Sequence, residues 1–100
     1  MIFEELLVQA REQRASDIHL VCGELPTFRV NGKLVRIGEK TVDKEYLSII
    51  LELILKERDR NIFYQERELD CSFEDVKGLR YRANFHWEKG NIAISIRVIE

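Results

Sequence analysis

From Leu69 to Val98 apolar and polar residues alternate with a period of two, and this alternation limits the chain more than any other feature. Leu69, Cys71 and Phe73 fall on one side of a strand and Asp70, Ser72 and Glu74 on the other, because successive side chains point to opposite faces. Asp75-Val76-Lys77-Gly78 has turn composition, and Tyr81, Ala83, Phe85 and Trp87 then alternate with Arg80, Arg82, Asn84 and His86. Lys89-Gly90 turns the chain again into Ile92, Ile94, Ile96 and Val98. The spacing predicts a three-stranded antiparallel meander with one apolar face, which needs a second layer to cover it.

The upstream sequence supplies that layer. Phe3, Leu6, Leu7 and Ala10 recur at helical spacing and predict an amphipathic helix over about Ile2 to Gln13. Asp17 to Cys22 reads as a strand and Gly23 to Pro26 as its exit loop. Phe28 and Val30 alternate with Arg29 up to Asn31-Gly32, a strong two-residue hairpin signal, and Lys33 to Ile37 runs back. Asp43 can cap a second helix, about Lys44 to Lys56, whose apolar residues from Tyr46 to Leu55 cover most of its circumference. That is wider than the stripe a helix needs against one sheet. Either Arg58 to Glu68 folds over it as a short third helix through Ile62, Phe63 and Tyr64, or another domain does. The fold class predicted is α+β, an antiparallel sheet with helices packed on one side.

A chain of 100 residues, 45% of them apolar and 34% charged, fits one domain with a single core. The formal charge of −2 leaves no surplus positive field for duplex phosphates, so no nucleic-acid partner is expected. The longest near-continuous apolar run, Leu47 to Leu55, contains Ser48 and Glu52 and falls far short of the ~20 residues of a membrane span. The N-terminus lacks the basic start and cleavage site of an export signal, and Cys22 and Cys71 stand apart as reduced thiols would, so a cytoplasmic location is expected.

A two-residue Lys89-Gly90 hairpin pairs Trp87 with Ile92, Phe85 with Ile94, Ala83 with Ile96 and Tyr81 with Val98. On the other face the same register sets Arg82 against Arg97, with Arg80 one place along. Like charges as direct partners repel by a few tenths to about 1 kcal/mol, so an anion is expected between them. Two readings remain: Asp70 and Glu74 pair with Arg80 and Arg82 as surface salt bridges, or a phosphate-bearing ligand or partner meets the guanidinium forks.

Other chemistry is sparse. His19 and Cys22 point to opposite faces of a strand, and His86 points away from the face of Cys71, so no metal site is expected. Ser16, Asp17 and His19 lie adjacent in sequence, which does not make a triad, and no catalytic residue is assigned; Ser16-Asp17 shapes a turn, with Asp17 free to meet an arginine. The single Gly-Lys pair, Gly32-Lys33, precedes Leu34 in a hairpin, so no phosphate-binding P-loop is present.

Ala15-Ser16-Asp17-Ile18-His19-Leu20, followed by Gly23-x-x-Pro26-x-Phe28-Arg29-Val30-Asn31-Gly32-Lys33-Leu34, resembles the opening signature of the type II/type IV secretion ATPases. Asp70 to Glu74, Arg80 to Asn84 and Ile96 to Ile99 resemble later blocks in the same order and spacing. The signature begins one helix after Met1, most similar to the twitching-motility pilus retraction branch of that family.

The resemblance implies that residues 1–100 are a single PAS-like N-terminal domain of a homohexameric motor. In that family a RecA-like C-terminal domain holds ATP and Mg²⁺, the N-terminal domain packs on the RecA-like domain of a neighbouring subunit, and sheet arginines reach the nucleotide phosphates. Arg82 and Arg97 match those arginines, with Arg80 a further candidate. Asp17, His19 and Arg29 match motif positions expected at an interface or in a structural role. The resemblance also implies a place at the cytoplasmic side of an inner-membrane pilus or secretion platform, and no enzymatic activity for this stretch by itself. The readings from other classes are a free-standing PAS-like ligand sensor, which the largely apolar inward face disfavours, and a protein-interaction module using the second helix.

Overall fold

The computed structural model describes all 100 residues as α1 (Phe3–Glu12), β1 (Asp17–Val21), β2 (Thr27–Val30), β3 (Lys33–Arg36), α2 (Lys44–Ile54), α3 (Glu57–Glu66), β4 (Leu69–Glu74), β5 (Arg80–Glu88) and β6 (Asn91–Val98). The strands form one antiparallel sheet in the order β3-β2-β1-β6-β5-β4. The first and last strands of the chain, β1 and β6, therefore meet at its centre. Two tight hairpins set the local registers. Asn31 and Gly32 have φ of 51° and 77°, and Lys89 and Gly90 have 51° and 80°, the double left-handed corner whose twist matches that of the flanking strands. The second corner fixes the expected pairs, Trp87 with Ile92 through Tyr81 with Val98.

All three helices cover one face. Its core joins Ile18, Leu20, Phe28, Tyr81, Ala83, Phe85, Ile94 and Ile96 of the sheet to helix residues. From α1 come Phe3, Leu6, Leu7 and Ala10, the stripe that the sequence spacing predicts. Burying each large apolar side chain of this set contributes roughly 1.5–3 kcal/mol. The Asp43 carboxylate accepts the Tyr46 N–H at 2.8 Å and starts α2, which buries Leu47, Ile50 and Leu51.

The third helix forms one residue ahead of its expected start, but it does not cover the outer side of α2. It lies on the sheet through its one buried residue, Phe63, whose ring is parallel to Trp87 at 5.2 Å and edge-on to Phe85 at 6.0 Å, with the Tyr64 ring 6.2 Å from Trp87. Ile62 and Tyr64 are exposed, and on α2 Ile49 and Leu53 remain 51% and 68% exposed. The reason is geometric: Phe63 completes the cover of Phe85 and stacks on Trp87, so the apolar side of α3 is turned to the sheet and away from the outer side of α2.

A polar clamp fastens α1 to the strand ends. Arg11 donates from Nε to the Tyr81 hydroxyl at 2.9 Å and from Nη2 to the carbonyls of Arg80 and Ile99 at 3.0 and 3.1 Å. The Tyr81 hydroxyl in turn donates to Asp75 Oδ2 at 2.8 Å, while Asp75 Oδ1 accepts the N–H groups of Lys77 and Leu79. This ties the β4–β5 turn, the start of β5 and the end of β6 to one helix. No helix is long and apolar enough to cross a membrane.

Candidate functional site

The open face of the sheet carries a row of charged side chains that only the assembled strand order creates. In direct register lie Arg29 on β2, Asp17 on β1, Arg97 on β6 and Arg82 on β5, with Ser72 on β4 beyond them. Neighbouring strands are ~4.8 Å apart, so three arginines and one aspartate occupy a band ~15 Å long. Asp17 sits between two arginines. Its Oδ1 is 3.5 Å from Arg97 Nε, and its Oδ2 accepts the Ser16 hydroxyl at 2.7 Å. Asp17 is sunk to 18% exposure, whereas Arg97 is 72% exposed. Arg29 donates from Nη1 to the Gly32 carbonyl at 3.2 Å.

Arg82 is exposed and has neither an ion pair nor a side-chain hydrogen bond, and the same holds for Arg80. The expected salt bridges from Asp70 and Glu74 are absent. Register explains the difference. Asp70 lies opposite Asn84 rather than an arginine, and its Oδ1 accepts the Asn84 amide at 3.0 Å, an amide shared with Glu68. Arg82 instead lies opposite Ser72, and a diagonal partner is ~2–3 Å farther away than a direct one. Glu74 is opposite Arg80 at the sheet edge, where two exposed side chains gain little from being held together.

A second row, one pleat along, carries a single arginine, Arg36 at the β3 edge, which lies opposite Thr27 and donates from Nη1 to its hydroxyl at 3.2 Å. His19 lies between Thr27 and Ser95 in register, with Nδ1 3.4 Å from the Ser95 hydroxyl. His86 Nδ1 is 2.8 Å from Asn84 Oδ1 and its Nε2 is 3.7 Å from Glu88. No three His, Cys, Asp or Glu side chains converge as metal ligands. His19 thus belongs to the same face as the arginines without touching them. Arg29, named from sequence only as a motif residue, joins the row of Arg82 and Arg97, and the signal that shows this is the non-local pairing of β1 with both β2 and β6.

The helix side carries a different surface. A groove of about 690 Å³ runs between the start of α1, residues 37–43 and α2, with Ile2, Tyr46, Ile49 and Leu53 in its wall and Glu39, Asp43 and Glu45 on its rim. Tyr46, Ile49 and Leu53 form a second apolar stripe on α2, distinct from the buried one.

A six-stranded antiparallel sheet with three helices matches the N-terminal domain of the secretion ATPases in fold, and in sequence the chain is similar to the type IV pilus ATPases among them. Its relatives include the type IV pilus retraction ATPase PilT of Pseudomonas aeruginosa, 33% identical over 95 residues, a match covering 94% of this chain and 28% of that protein. The type IV pilus ATPase PilU of the same organism is 26% identical over 102 residues, covering 100% of this chain and 26% of that protein. Among solved structures, the pilus retraction motor PilT with bound ADP superposes with a TM-score of 0.91 at 24% identity, over 100% of this chain and 29% of that one. The Legionella pneumophila ATPase DotB superposes at 0.83 with 24% identity, over 96% of this chain and 28% of that one. The structural likenesses establish the fold. No protein-family model matches the chain. The chain spans little more than a quarter of the relatives it matches.

Proposed function

We propose that residues 1–100 act as the N-terminal domain of a hexameric type IV pilus retraction or secretion motor, packing against the RecA-like domain of a neighbouring subunit and presenting Arg82 and Arg97 to the phosphates of the ATP held there. ATP and Mg²⁺ belong to that RecA-like domain, which lies outside these residues, and this domain contributes no catalytic cradle of its own. The motor works at the cytoplasmic side of an inner-membrane platform. The observation that carries this reading is the direct opposition of Arg82 and Arg97 on an open sheet face, with no carboxylate meeting Arg82. Two arginines whose Cβ atoms are ~5 Å apart as direct cross-strand partners can bring both guanidinium forks to the several oxygens of a phosphate chain, and such a fork delivered from a neighbouring domain stabilises charge that develops in phosphoryl transfer. Arg80 extends the cluster toward the sheet edge.

The test is turnover by the assembled motor containing this domain. Arg82→Ala and Arg97→Ala are each expected to lower kcat by 10-fold or more, up to about 10³ for a full arginine-finger role. Wild-type turnover in either variant returns that arginine to ordinary surface. The apolar groove at α2 favours a second, compatible reading, in which the helix side serves as a protein-interaction surface.

A further inference from the structure

We infer that Asp17 is an internal stand-in for the phosphate, a fixed carboxylate that occupies Arg97 until an anionic ligand takes the arginine from it. This rests on the reading of the arginine row as phosphate-facing. Three observations lead to it. Asp17 is flanked in register by Arg29 and Arg97, so the sheet places one negative charge inside a row of three positive ones. The contact is loose: Asp17 Oδ1 approaches Arg97 Nε at 3.5 Å, beyond the 2.7–2.9 Å of a charge-assisted hydrogen bond, and no Nη atom of Arg97 has a partner. Finally, the two sides differ in freedom. The Asp17 carboxylate is 18% exposed and held by the Ser16 hydroxyl, whereas the Arg97 side chain is 72% exposed on a flexible stem.

The carboxylate is fixed and the guanidinium is the part that can move. Without a ligand, Asp17 lowers the repulsion along the row and keeps Arg97 over the sheet. A phosphate chain arriving between Arg82 and Arg97 offers more oxygens and more charge than one carboxylate, so Arg97 transfers to it. Arg82, with no internal anion, stays open as the first point of capture. The consequence is a threshold: the row discriminates against singly charged anions, which gain too little to displace Asp17, and favours polyphosphates.

The test uses the 100-residue chain and inorganic pyrophosphate, followed by NMR at about 0.15 M salt, where charges more than ~8 Å away are screened. Asp17→Asn is expected to tighten pyrophosphate binding about two- to fivefold, the range of an exposed ion pair. Asp70→Asn makes the same change in net charge on the same face, one pleat away from the arginine row, and is expected to leave the affinity unchanged. In an Arg97→Ala background the Asp17→Asn gain should vanish. In the wild-type chain, pyrophosphate should shift the Arg97 Nε resonance, a readout that needs no variant to fold. Unchanged or weaker binding by Asp17→Asn, an equal gain from Asp70→Asn, or an unmoved Arg97 Nε resonance while pyrophosphate binds through Arg82 overturns the inference. Pyrophosphate binding that is indifferent to both Arg82→Ala and Arg97→Ala overturns instead the phosphate reading on which it stands.

Discussion

Arg82 and Arg97 are direct cross-strand partners, and Asp17, 3.5 Å from Arg97 Nε, is the one carboxylate within ion-pairing distance of either. The two arginines are therefore not equivalent in the folded domain. Replacing Arg82 by alanine removes repulsion and no attraction, so the melting temperature of the 100-residue chain should stay level or rise slightly. Replacing Arg97 loses the Asp17 pair as well as the repulsion, and a loss of up to about 1 kcal/mol is expected. Thermal unfolding of both variants checks this. Equal destabilisation by the two would mean that the Asp17 contact contributes nothing.

ATP should be neither hydrolysed nor held tightly by the 100-residue chain. An arginine row supplies attraction to phosphate, but residues 1–100 contain no G-x-x-x-x-G-K-[ST] loop to wrap it with backbone N–H groups and no convergent group of three carboxylate, His or Cys side chains for Mg²⁺. Steady-state phosphate release should match the buffer blank, and calorimetry should find no micromolar site. Hydrolysis by pure protein would sink the assignment of the chemistry to another domain.

Local sequence rules carry the meander far: alternation alone places Tyr81, Phe85, Ile94 and Ile96 inward, and the two-residue turn at Lys89-Gly90 is enough to fix the Arg82–Arg97 pairing. They stop where pairing becomes non-local. Nothing in the spacing of Asp17 says that β1 lies between β2 and β6, so its place between Arg29 and Arg97 is invisible to them. A one-pair offset within the β4–β5 hairpin removes the salt bridge expected from Asp70, whereas Glu74 does lie opposite Arg80 and stays unpaired because both side chains are exposed. Facing the same side is necessary for pairing, but the turn at Asp75 to Gly78 sets the offset that puts Asn84, not Arg82, opposite Asp70. For α2 the excess of apolar residues is legible, whereas the choice of α3 to anchor Phe63 on Trp87 depends on packing across the sheet.

The uncovered stripe of α2 should drive weak self-association. Ile49 and Leu53 stand one turn apart with Ile2 and Met1 nearby, an apolar patch with no intramolecular partner. Sedimentation should show a monomer at micromolar concentration with association at high concentration. Leu53→Lys should abolish that association and change stability by no more than about 0.5 kcal/mol, because the side chain is 68% exposed. A loss of several kcal/mol would place Leu53 in the core.

Cys71 should be a slow thiol in the native state. Burial pushes its pKa up to about 11, with the nearby Asp59 and Asp70 carboxylates adding to the effect and Arg82 opposing it. The thiolate is the reactive form, so its population near pH 8 falls by about two orders of magnitude relative to an ordinary thiol. Alkylation followed by mass spectrometry in a Cys22→Ser background should be correspondingly slow, and denaturant should restore it. Native and denatured rates that coincide would contradict the burial.

Acid should loosen the clamp around Asp75. Burial pushes this carboxyl up, but the hydrogen bonds from Tyr81, Leu79 and Lys77, together with the Arg11 charge, outweigh it and hold the folded carboxyl below its ordinary value. The unfolded chain therefore takes up a proton at a higher pH than the folded one. The stabilisation is fully present above the ordinary carboxylate range and is lost as pH falls through the folded value. Asp75→Asn keeps an acceptor for the turn N–H groups but presents an amide to the Tyr81 hydroxyl. It should cost about 1 kcal/mol near neutral pH and make the fall in stability below about pH 4 shallower than in the wild type. Because Tyr81 and Arg11 join the turn to α1 and to the end of β6, the loss should appear first as faster amide exchange at Lys77, Leu79 and Ile99. Denaturant titrations at several pH values measure the slope, and parallel curves for the two proteins would remove Asp75 from the acid response.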